Sequence, residues 1–304
     1  MSTAEPQTQS RIMRLLGARG LNPRRDLGQN FLIDLNLVRF VAEQAELEGG
    51  DVVLEVGSGL GSLTGELAEQ SRAVVSVEYD RNLYAIAQES LERFTNVTLL
   101  NCDVLRSKSR LAPDVLAAVE RELAASPDCG LKLVANLPYN VATPVISNLV
   151  ATELPWKGMV VTIQYELAER MLAGPSTPQY SALSVWLQAQ CEIEILRKLS
   201  PSVFWPRPQV ESAIVRILPD EEKRNRIADR EFFHEYVRGV FLHRRKQLRG
   251  LLAGMAPEID KAAAAKLLET AGCGENVRAE ELDVSTHVEL SNQIGNLRVG
   301  TVGE

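Results

Sequence analysis

The stretch Asp51-Val-Val-Leu-Glu-Val-Gly-Ser-Gly-Leu-Gly61 decides the fold of this chain. Its apolar first half is typical of a buried strand and its second half of a glycine-rich turn, and a helix is predicted next, at Ser62–Gln70. Glycines allow a tight turn and let a ligand lie against bare backbone. The GxGxG spacing differs from the GxGxxG of dinucleotide sites and from a Walker loop. The stretch therefore predicts an α/β protein that binds a ligand at this turn.

Two further predicted strands end close to carboxylates. Ala73–Val77 is followed by Glu78, about twenty residues after the first glycine, where a carboxylate can accept from both hydroxyls of a ribose. Val97–Leu100 leads to Asp103, which could accept from the amino group of an adenine ring. Alone, these features are compatible with an ordinary turn, a surface Glu and a loop Asp. Together they mark successive strand ends of one βα pattern, where open α/β sheets bind ligands.

Another apolar run, Leu131–Ala135, reads as a buried parallel strand and continues into Asn136-Leu-Pro-Tyr139. The amide oxygen of Asn136 and an unbonded main-chain carbonyl of this motif can accept from the two N–H groups of an exocyclic amine. The ring of Tyr139 can stack on the same planar base. Since Asn and Pro are common turn residues, an ordinary turn at the strand end is the alternative interpretation.

The glycine turn favours one class of adenosine-containing ligand. It holds no Lys or Arg that could grip phosphate, and Glu55, two residues before it, would repel phosphate. A cationic nucleoside without phosphates fits better than NAD or ATP. The predicted cofactor is therefore S-adenosylmethionine.

The chain resembles the ribosomal RNA small-subunit adenine dimethyltransferase family (KsgA type) over nearly its whole length. The matching stretches are Leu27-Gly-Gln-Asn-Phe-Leu32, Leu54-Glu-Val-Gly-Ser-Gly59, Val77-Glu-Tyr-Asp80, Asn136-Leu-Pro-Tyr-Asn140, Phe204-Trp-Pro-Arg-Pro-Gln-Val-Glu-Ser212, Phe241-Leu-His-Arg-Arg-Lys-Gln-Leu-Arg249 and Arg278-Ala-Glu-Glu-Leu282. The glycine loop is common to many methyltransferases, whereas Gly-Gln-Asn-Phe-Leu together with Asn-Leu-Pro-Tyr is specific to adenine dimethylation of ribosomal RNA. The two carboxy-terminal stretches favour the small-subunit type over the Erm type, which modifies the large subunit.

The resemblance implies both a reaction and a set of site residues. The reaction transfers methyl groups from S-adenosylmethionine to the exocyclic amines of two adjacent adenines near the 3′ end of small-subunit ribosomal RNA, with a role in subunit maturation. The implied cofactor-binding residues are Asn30, Leu32, Gly57, Gly59, Glu78, Asp103 and Asn136. The implied catalytic residues are Asn136, Pro138, Tyr139 and Phe204. Asn136 and the unbonded carbonyl of Pro138 would hold the target amine, with the two aromatic rings on opposite faces of the adenine.

A change in composition divides the chain at about residue 219. Residues 1–219 are predicted to form an S-adenosylmethionine-dependent methyltransferase domain with a Rossmann-like, mostly parallel sheet, whose residues 1–30 form a basic arm. Residues 220–304, which carry no strand signal, are predicted to form a small all-α domain that binds RNA or the ribosome.

Further elements follow from the apolar and charged patterns. Strands are predicted at Gly158–Gln164, Cys191–Leu199 and Ser212–Leu218, and helices within Leu111–Gly130 and at Phe232–Leu252 and Pro257–Ala271. The last two of these strands are expected to pair antiparallel at an edge of the sheet.

The net charge of −7 does not by itself favour RNA binding, so the distribution of charge matters more than the sum. Basic residues cluster in the amino-terminal arm, around Phe204 and near the end of the predicted helix at Phe232–Leu252. The predicted RNA-binding residues are Arg244, Arg245, Lys246 and Arg249. A solvated helix face is the alternative interpretation of this last cluster.

Composition limits the remaining possibilities. The 304 residues contain four widely spaced cysteines without a CxxC pair and three scattered histidines, so neither a disulfide framework nor a metal site is expected. No apolar stretch reaches the length of about eighteen residues that a membrane span needs. The sequence thus predicts a cytoplasmic, metal-free protein, which is expected to be a monomer. The resemblance implies that its partner is small-subunit RNA or a pre-assembled small subunit.

Other functions remain open at this stage. A small-molecule methyltransferase would share the glycine loop but would need neither the basic cluster nor the Asn-Leu-Pro-Tyr pocket. A non-catalytic ribosome assembly factor should have lost Glu78, Asp103 or Asn136, and the chain keeps all three. An Erm-type methyltransferase of the large subunit is the third alternative.

Overall fold

The computed structural model describes residues 8–125, 130–255 and 259–300. The strands in these residues are β1 Phe31–Leu32, β2 Val52–Val56, β3 Ala73–Val77, β4 Val97–Leu100, β5 Leu105–Ser107, β6 Arg110–Leu111, β7 Leu131–Asn136, β8 Trp156–Gln164, β9 Cys191–Leu199, β10 Phe204–Trp205 and β11 Ser212–Pro219. The α-helices are α1 Gln9–Gly17, α2 Leu35–Gln44, α3 Ser62–Ala68, α4 Arg81–Leu91, α5 Pro113–Ala124, α6 Ala142–Ala151, α7 Tyr165–Leu172, α8 Ala182–Gln188, α9 Glu221–Asn225, α10 Arg230–Leu242, α11 Leu248–Leu252, α12 Lys261–Thr270 and α13 Val284–Gly300.

The central feature is a sheet with the strand order β4-β3-β2-β7-β8-β11-β9. The pairs from β4 through β8 are parallel, whereas β11 runs antiparallel to β8. Every residue of β2 and β3 is buried, as expected for parallel strands that are covered on both faces. Strand order reverses between β2 and β7, and the carboxyl ends of strands at such a switch point form the ligand crevice of open α/β sheets.

The described contacts divide the chain into two compact units. The first comprises Met1–Ala168 and Glu194–Leu218, and the second comprises Glu169–Ile193 and Pro219–Glu304. The second unit therefore resumes at the predicted boundary near residue 219. It also includes the segment around α8, which the sequence analysis assigned to the first domain, because α8 packs against α10 and α13. Alternation of strands and helices could not reveal this packing.

One face of the sheet changes from apolar to polar toward the end that carries the glycine turn. The apolar part packs against α2 through Val53, Val74, Val134, Val160 and Ile214. Two residues further toward this end, the alternation of side chains places polar groups on the same face. These groups are Glu55, Ser76, Asn136, Thr162 and Ser212. The strand pattern thus places a row of polar side chains at the predicted site, and all of them except Asn136 are buried.

The long carboxy-terminal helix predicted at Phe232–Leu252 is interrupted, so that prediction is wrong. Helix α10 ends at Leu242, and helix α11 begins only at Leu248. Between them, Gln247 forms a bridge with Arg278, and the Leu248 amide donates to the carbonyl of Val277. These long-range backbone bonds replace helical ones, which the local apolar pattern could not show.

A hydrogen-bonded histidine lies in the core of the second unit. His287 is fully buried; its Nε2 lies 2.9 Å from the Ala279 carbonyl and its Nδ1 3.1 Å from the Tyr236 hydroxyl. Because a carbonyl can only accept, Nε2 carries the proton and Nδ1 accepts from Tyr236. Burial lowers the pKa of His287 to about 4, although the Ala279 carbonyl and Asp283 oppose the shift.

This neutral histidine makes the stability of the second unit depend on pH. The unfolded chain takes up a proton near pH 6.5, whereas the folded chain resists protonation until about pH 4. Between these values only the unfolded state binds the proton, so stability falls as the pH drops, by about 1.4 kcal/mol per pH unit and about 3 kcal/mol in total.

Urea unfolding between pH 7.5 and 4.5 tests this dependence. The variant His287→Gln should be less stable at pH 7.5 but should lose less stability on acidification than the wild type. The exposed His243→Gln variant is the control and should follow the wild-type curve. Parallel pH curves for wild type and His287→Gln would contradict the assignment.

Candidate active site

A cavity of about 280 Å³ opens at the carboxyl ends of β2, β3 and β7. Most of the predicted site residues line it, brought together from separate parts of the sequence. They are Asn30, Gly57, Gly59, Glu78, Asp103, Asn136, Pro138 and Tyr139. The cavity thus lies at the switch point of the sheet and combines the predicted cofactor residues with the Asn-Leu-Pro-Tyr motif.

The glycine turn fits against that motif because Gly57 has no side chain. Gly57 has φ +86°, and an added Cβ would lie 3.2 Å from Pro138 Cδ and 3.7 Å from the Asn136 carbonyl. Any other residue there would be strained in its backbone and too close to the proline ring. Gly59 has φ +57°, and an added Cβ would lie 3.3 Å from the ring of Phe31. The turn is therefore held between two loops of the site.

Glu78 is fixed by the backbone around it. One carboxylate oxygen accepts from the Gly59 amide at 2.8 Å and the other from the Asp80 amide at 2.9 Å. Burial raises the pKa of Glu78, and the two amides oppose that shift. Since a carboxylate has about four acceptor positions, two remain for the hydroxyls of a ribose.

Asp103 is exposed at the rim of the same cavity. Its Oδ1 accepts from the Leu105 amide at 2.9 Å, which fixes the carboxylate and leaves Oδ2 to accept from a ligand. This is the position that the sequence analysis expected for recognition of an adenine amino group.

The amide of Asn136 has a defined orientation. Its Nδ2 donates to the main-chain carbonyl of Asn30 at 2.9 Å, and no donor among the described residues reaches its Oδ1. The amide oxygen is thus left to accept from a ligand in the cavity, as the motif predicts. The contact also joins the amino-terminal Gly-Gln-Asn-Phe-Leu stretch to the catalytic motif, which the sequence could not reveal.

The expectation that the Pro138 carbonyl is unbonded is wrong. This carbonyl accepts from the amides of Val141 at 3.0 Å and Ala142 at 3.2 Å, because it closes the turn that starts helix α6. Among the described residues, none donates to the neighbouring carbonyl of Leu137, which also lines the cavity. The free main-chain acceptor of the motif is therefore one residue earlier than predicted.

Tyr139 forms one wall of the cavity, and its hydroxyl lies 2.7 Å from Oγ of Ser212 at the start of β11. Ser212 is fully buried, so this contact fixes the phenol end of the ring. Burial raises the pKa of Tyr139. The ring is thereby held as a flat surface beside Asn136.

Leu32 and Phe204 are the predicted site residues that do not line this cavity. They face each other in the two-stranded sheet of β1 and β10 and are 7% and 2% exposed. Both belong to the apolar cluster beneath the site. The structure therefore places them as supports behind the cavity wall, and Phe204 presents no accessible face for stacking.

The predicted RNA-binding residues of the second unit fall into two groups. Arg244 donates to the carbonyls of Pro178 and Tyr180, and Arg249 pairs with Glu275 at 3.0 Å. Arg245 and Lys246, in contrast, are exposed in the segment between α10 and α11. Of the four predicted residues, only these two are exposed without an internal side-chain partner among the described residues.

Glu55, which the sequence analysis placed near the turn, lies buried beneath it. It accepts from the hydroxyls of Thr64 at 2.6 Å and Ser76 at 2.5 Å. Burial raises its pKa to about 7 despite these donors. Its role in this structure is to tie β2, β3 and α3 together below the glycine turn.

Comparison with known proteins assigns the family. A profile for ribosomal RNA adenine dimethylases matches residues 20–294. The chain belongs to this family. It is 38% identical over 288 residues to the ribosomal RNA small subunit methyltransferase A of Pediococcus pentosaceus, covering 94% of each chain. It is 35% identical to the enzyme of that name from Geobacillus thermodenitrificans, covering 94% of this chain and 96% of the other.

Solved structures show the same fold. A dimethyladenosine transferase from Plasmodium falciparum superimposes with a TM-score of 0.69 at 22% identity, covering 86% of this chain and 97% of the other. The 23S rRNA methyltransferase ErmE gives 0.59 at 24% identity, covering 88% and 100%. The predicted family, the Rossmann-like fold and the assignment to methyltransferases are confirmed, and an S-adenosylmethionine-type cofactor follows from them.

The described residues contain no cluster of His, Cys, Asp and Glu that could hold a metal ion. In those same ranges, no helix is long and apolar enough to cross a membrane. Cys102, Cys191 and Cys273 are free thiols, and Cys129 lies outside the described residues.

Substitution of Glu78 should weaken binding of the methyl donor. Loss of a charged acceptor typically costs roughly 1.5–3 kcal/mol, so Glu78→Ala should raise the donor dissociation constant by about one to two orders of magnitude. Isothermal titration calorimetry measures this constant directly. The Glu92→Ala variant, at an exposed residue just after α4, is the matched control. An unchanged constant for Glu78→Ala would show that the ribose lies elsewhere.

Proposed function

We propose that this protein uses S-adenosylmethionine to dimethylate the exocyclic amines of two adjacent adenines near the 3′ end of small-subunit ribosomal RNA. The observation that carries the proposal is the pair of free acceptors, Asn136 Oδ1 and the Leu137 carbonyl, beside the fixed ring of Tyr139. An exocyclic amine has two N–H groups for these two acceptors. Relatives at 35–38% identity, named for the small subunit, favour that subunit as the substrate.

The cavity fits the proposed cofactor. The residues that would hold it are Asn30, Gly57, Gly59, Glu78 and Asp103. Gly57 keeps the backbone bare where an added Cβ would fill the space next to Pro138. The free acceptor positions of Glu78 and Asp103 match the hydroxyls and the amino group of an adenosine. When bound, the sulfonium supplies an electrophilic methyl group.

The chain's own residues would prepare the adenine for that transfer. The amine is a poor nucleophile because its lone pair is delocalised into the ring. Hydrogen bonds from its N–H groups to Asn136 Oδ1 and the Leu137 carbonyl would pull the nitrogen toward a tetrahedral shape and localise the lone pair. Alignment by a rigid site is worth several kcal/mol, with an upper range of roughly 7–11 kcal/mol in model reactions.

Proton release needs no dedicated base in this scheme. Methylation makes the nitrogen cationic, so its proton becomes acidic and can pass to solvent at the cavity mouth. The titratable residues that line the cavity are Glu78, Tyr79, Cys102, Asp103 and Tyr139. Burial raises the pKa of the Cys102 thiol, with Asp114 and Asp103 contributing, so it stays protonated. Positioning rather than acid–base chemistry therefore accounts for the reaction.

The second unit is proposed to bind RNA as part of a cytoplasmic monomer that acts on small-subunit RNA or on a pre-assembled small subunit. Arg245 and Lys246 are the contacts proposed for phosphate, because both are exposed and carry no internal partner in the described residues. Arg244 and Arg249 would support this segment from behind through their internal hydrogen bonds.

The amide of Asn136 provides the central test. Asn136→Ala should reduce turnover by roughly 100-fold or more, since it removes an interaction that orients the amine, while RNA affinity stays unchanged. Methyl transfer to isolated small subunits, with the modified positions mapped, measures the first quantity, and filter binding measures the second. The exposed Asn225→Ala variant is the control.

The methyl-transfer assay also distinguishes the proposed function from its two alternatives. Labelling of large subunits alone would favour the Erm type, and no labelling by the wild type would favour a non-catalytic assembly factor. Loss of RNA binding equal to the loss of turnover in Asn136→Ala would contradict its catalytic role.

Salt dependence tests the RNA-binding surface. Replacing Arg245 and Lys246 by Ala should weaken binding to small subunits and reduce the log–log salt slope by roughly 0.7–0.9 for each lost phosphate contact. Donor affinity should not change. The pair Lys261→Ala and Lys266→Ala removes the same charge from exposed positions of α12 and is the matched control. An unchanged slope would leave the basic amino-terminal segment and the basic residues around Phe204 as the RNA-binding surface.

A further inference from the structure

The amino-terminal segment that holds Asn136 is itself fastened to the loop that carries Glu78. Asn30 supplies the carbonyl that accepts from Asn136 Nδ2 at 2.9 Å. The residue before it, Gln29, donates from Nε2 to Asp80 Oδ2 at 3.1 Å. Asp80 in turn donates its amide to Glu78 Oε1 at 2.9 Å. A continuous set of hydrogen bonds thus connects the proposed ribose carboxylate with the amide proposed to hold the target amine.

The amide of Gln29 has a single orientation in this arrangement. Its Oε1 accepts from the Arg24 amide at 2.7 Å, and its own backbone amide donates to the Arg24 carbonyl at 3.3 Å. With Oε1 engaged in this way, only Nε2 is directed to Asp80. A reversed side-chain amide would place NH₂ against the Arg24 N–H and the amide oxygen against a carboxylate.

Asp80 also caps the amino terminus of helix α4, and this interaction fixes the position of its side chain. Its Oδ1 caps helix α4 by accepting from the amides of Asn82 at 2.8 Å and Leu83 at 3.3 Å. The carboxylate is therefore held by the helix terminus, and Oδ2 is left for Gln29. The anchor of the amino-terminal segment is consequently rigid. The Gln29–Asp80 bond holds the segment on the side before Asn30, and the pairing of β1 with β10 holds it on the side after Asn30.

We infer that Gln29 and Asp80 are positioning residues, which hold the Asn30 carbonyl where it orients the Asn136 amide for the methyl transfer. This inference rests on the proposed function of Asn136. Without the Gln29–Asp80 bond, the Asn30 carbonyl can move away and the Asn136 amide is free to rotate. Asp80 also donates its amide to Glu78. The same set of hydrogen bonds therefore positions Glu78, which is proposed to bind the cofactor, and Asn136, which is proposed to bind the amine.

The Gln29–Asp80 hydrogen bond can be tested by exchanging its donor and acceptor with substitutions that keep the size of each side chain. In Gln29→Glu, the new carboxylate still accepts from the Arg24 amide but faces Asp80 with like charge. In Asp80→Asn, the cap of α4 is retained, since Asn is as good an N-cap as Asp, but two NH₂ groups face each other. In the double variant, the Asn at position 80 donates to the Glu at position 29, so every hydrogen bond is restored with the donor and acceptor exchanged.

Each single variant should lower kcat roughly 10- to 100-fold, as expected for a misplaced reacting group. RNA affinity should be unchanged, and the donor dissociation constant should change by less than about threefold, which is under 1 kcal/mol. The double variant should recover most of the wild-type kcat. Gln70→Leu, in the exposed turn that follows α3, is the control for a lost surface amide.

A second readout needs neither cofactor nor activity. In protein labelled with ¹⁵N-asparagine, the Nδ2 resonance of Asn136 is identified by its loss in Asn136→Ala. It should shift in both single variants and return in the double variant. Additive losses of kcat in the double variant, or an unmoved resonance in the single variants, would overturn the inference. An inactive wild type would instead contradict the proposed function. A normal kcat in Gln29→Glu, together with an inactive Asn136→Ala, would contradict only the positioning role of Gln29 and Asp80.

Discussion

The close approach of Gly57 to Pro138 is the constraint on which the site depends. The glycine turn after β2 and the motif after β7 belong to neighbouring strands, and an added Cβ at Gly57 would lie 3.2 Å from the proline ring. This contact is possible only because the turn has no side chain and a positive φ at this residue. It brings the cofactor-binding loop and the amine-binding loop to one cavity, so that transfer between their ligands needs no large movement.

The polar groups of this cavity are stabilised by main-chain partners more than by one another. Glu78 accepts from two backbone amides, and Asn136 donates to a backbone carbonyl. Backbone partners belong to strands and helix ends with fixed positions, so they orient side chains at a lower cost in conformational entropy than flexible side chains do. A site built this way is already arranged before its ligands bind, which is what catalysis by positioning requires.

Much of this arrangement could be predicted from the sequence because it follows from local patterns. The limits of β3, β4 and β9 agree with the predicted strands at every residue. Short runs of strand-forming residues between turn signals mark these limits, although only β3 is buried along its whole length. The errors concern groups whose partners lie far along the chain or depend on the next element. The free carbonyl was assigned to Pro138 instead of Leu137 because only the start of α6 shows which one is used. The break after Leu242 depends likewise on a bridge to Arg278.

The same distinction explains why Phe204 was placed in the pocket and why no contact with Asp80 was predicted for Gln29. Family resemblance assigns a role to a residue type in a motif, but burial decides whether that side chain can reach a ligand. Phe204 lies in the apolar cluster opposite Leu32, whereas Gln29 lines the cavity and connects Arg24 to Asp80. A glutamine in the Gly-Gln-Asn-Phe-Leu stretch is therefore explained by geometry: its side chain both accepts from the Arg24 amide in its own loop and donates to Asp80, the N-cap of α4.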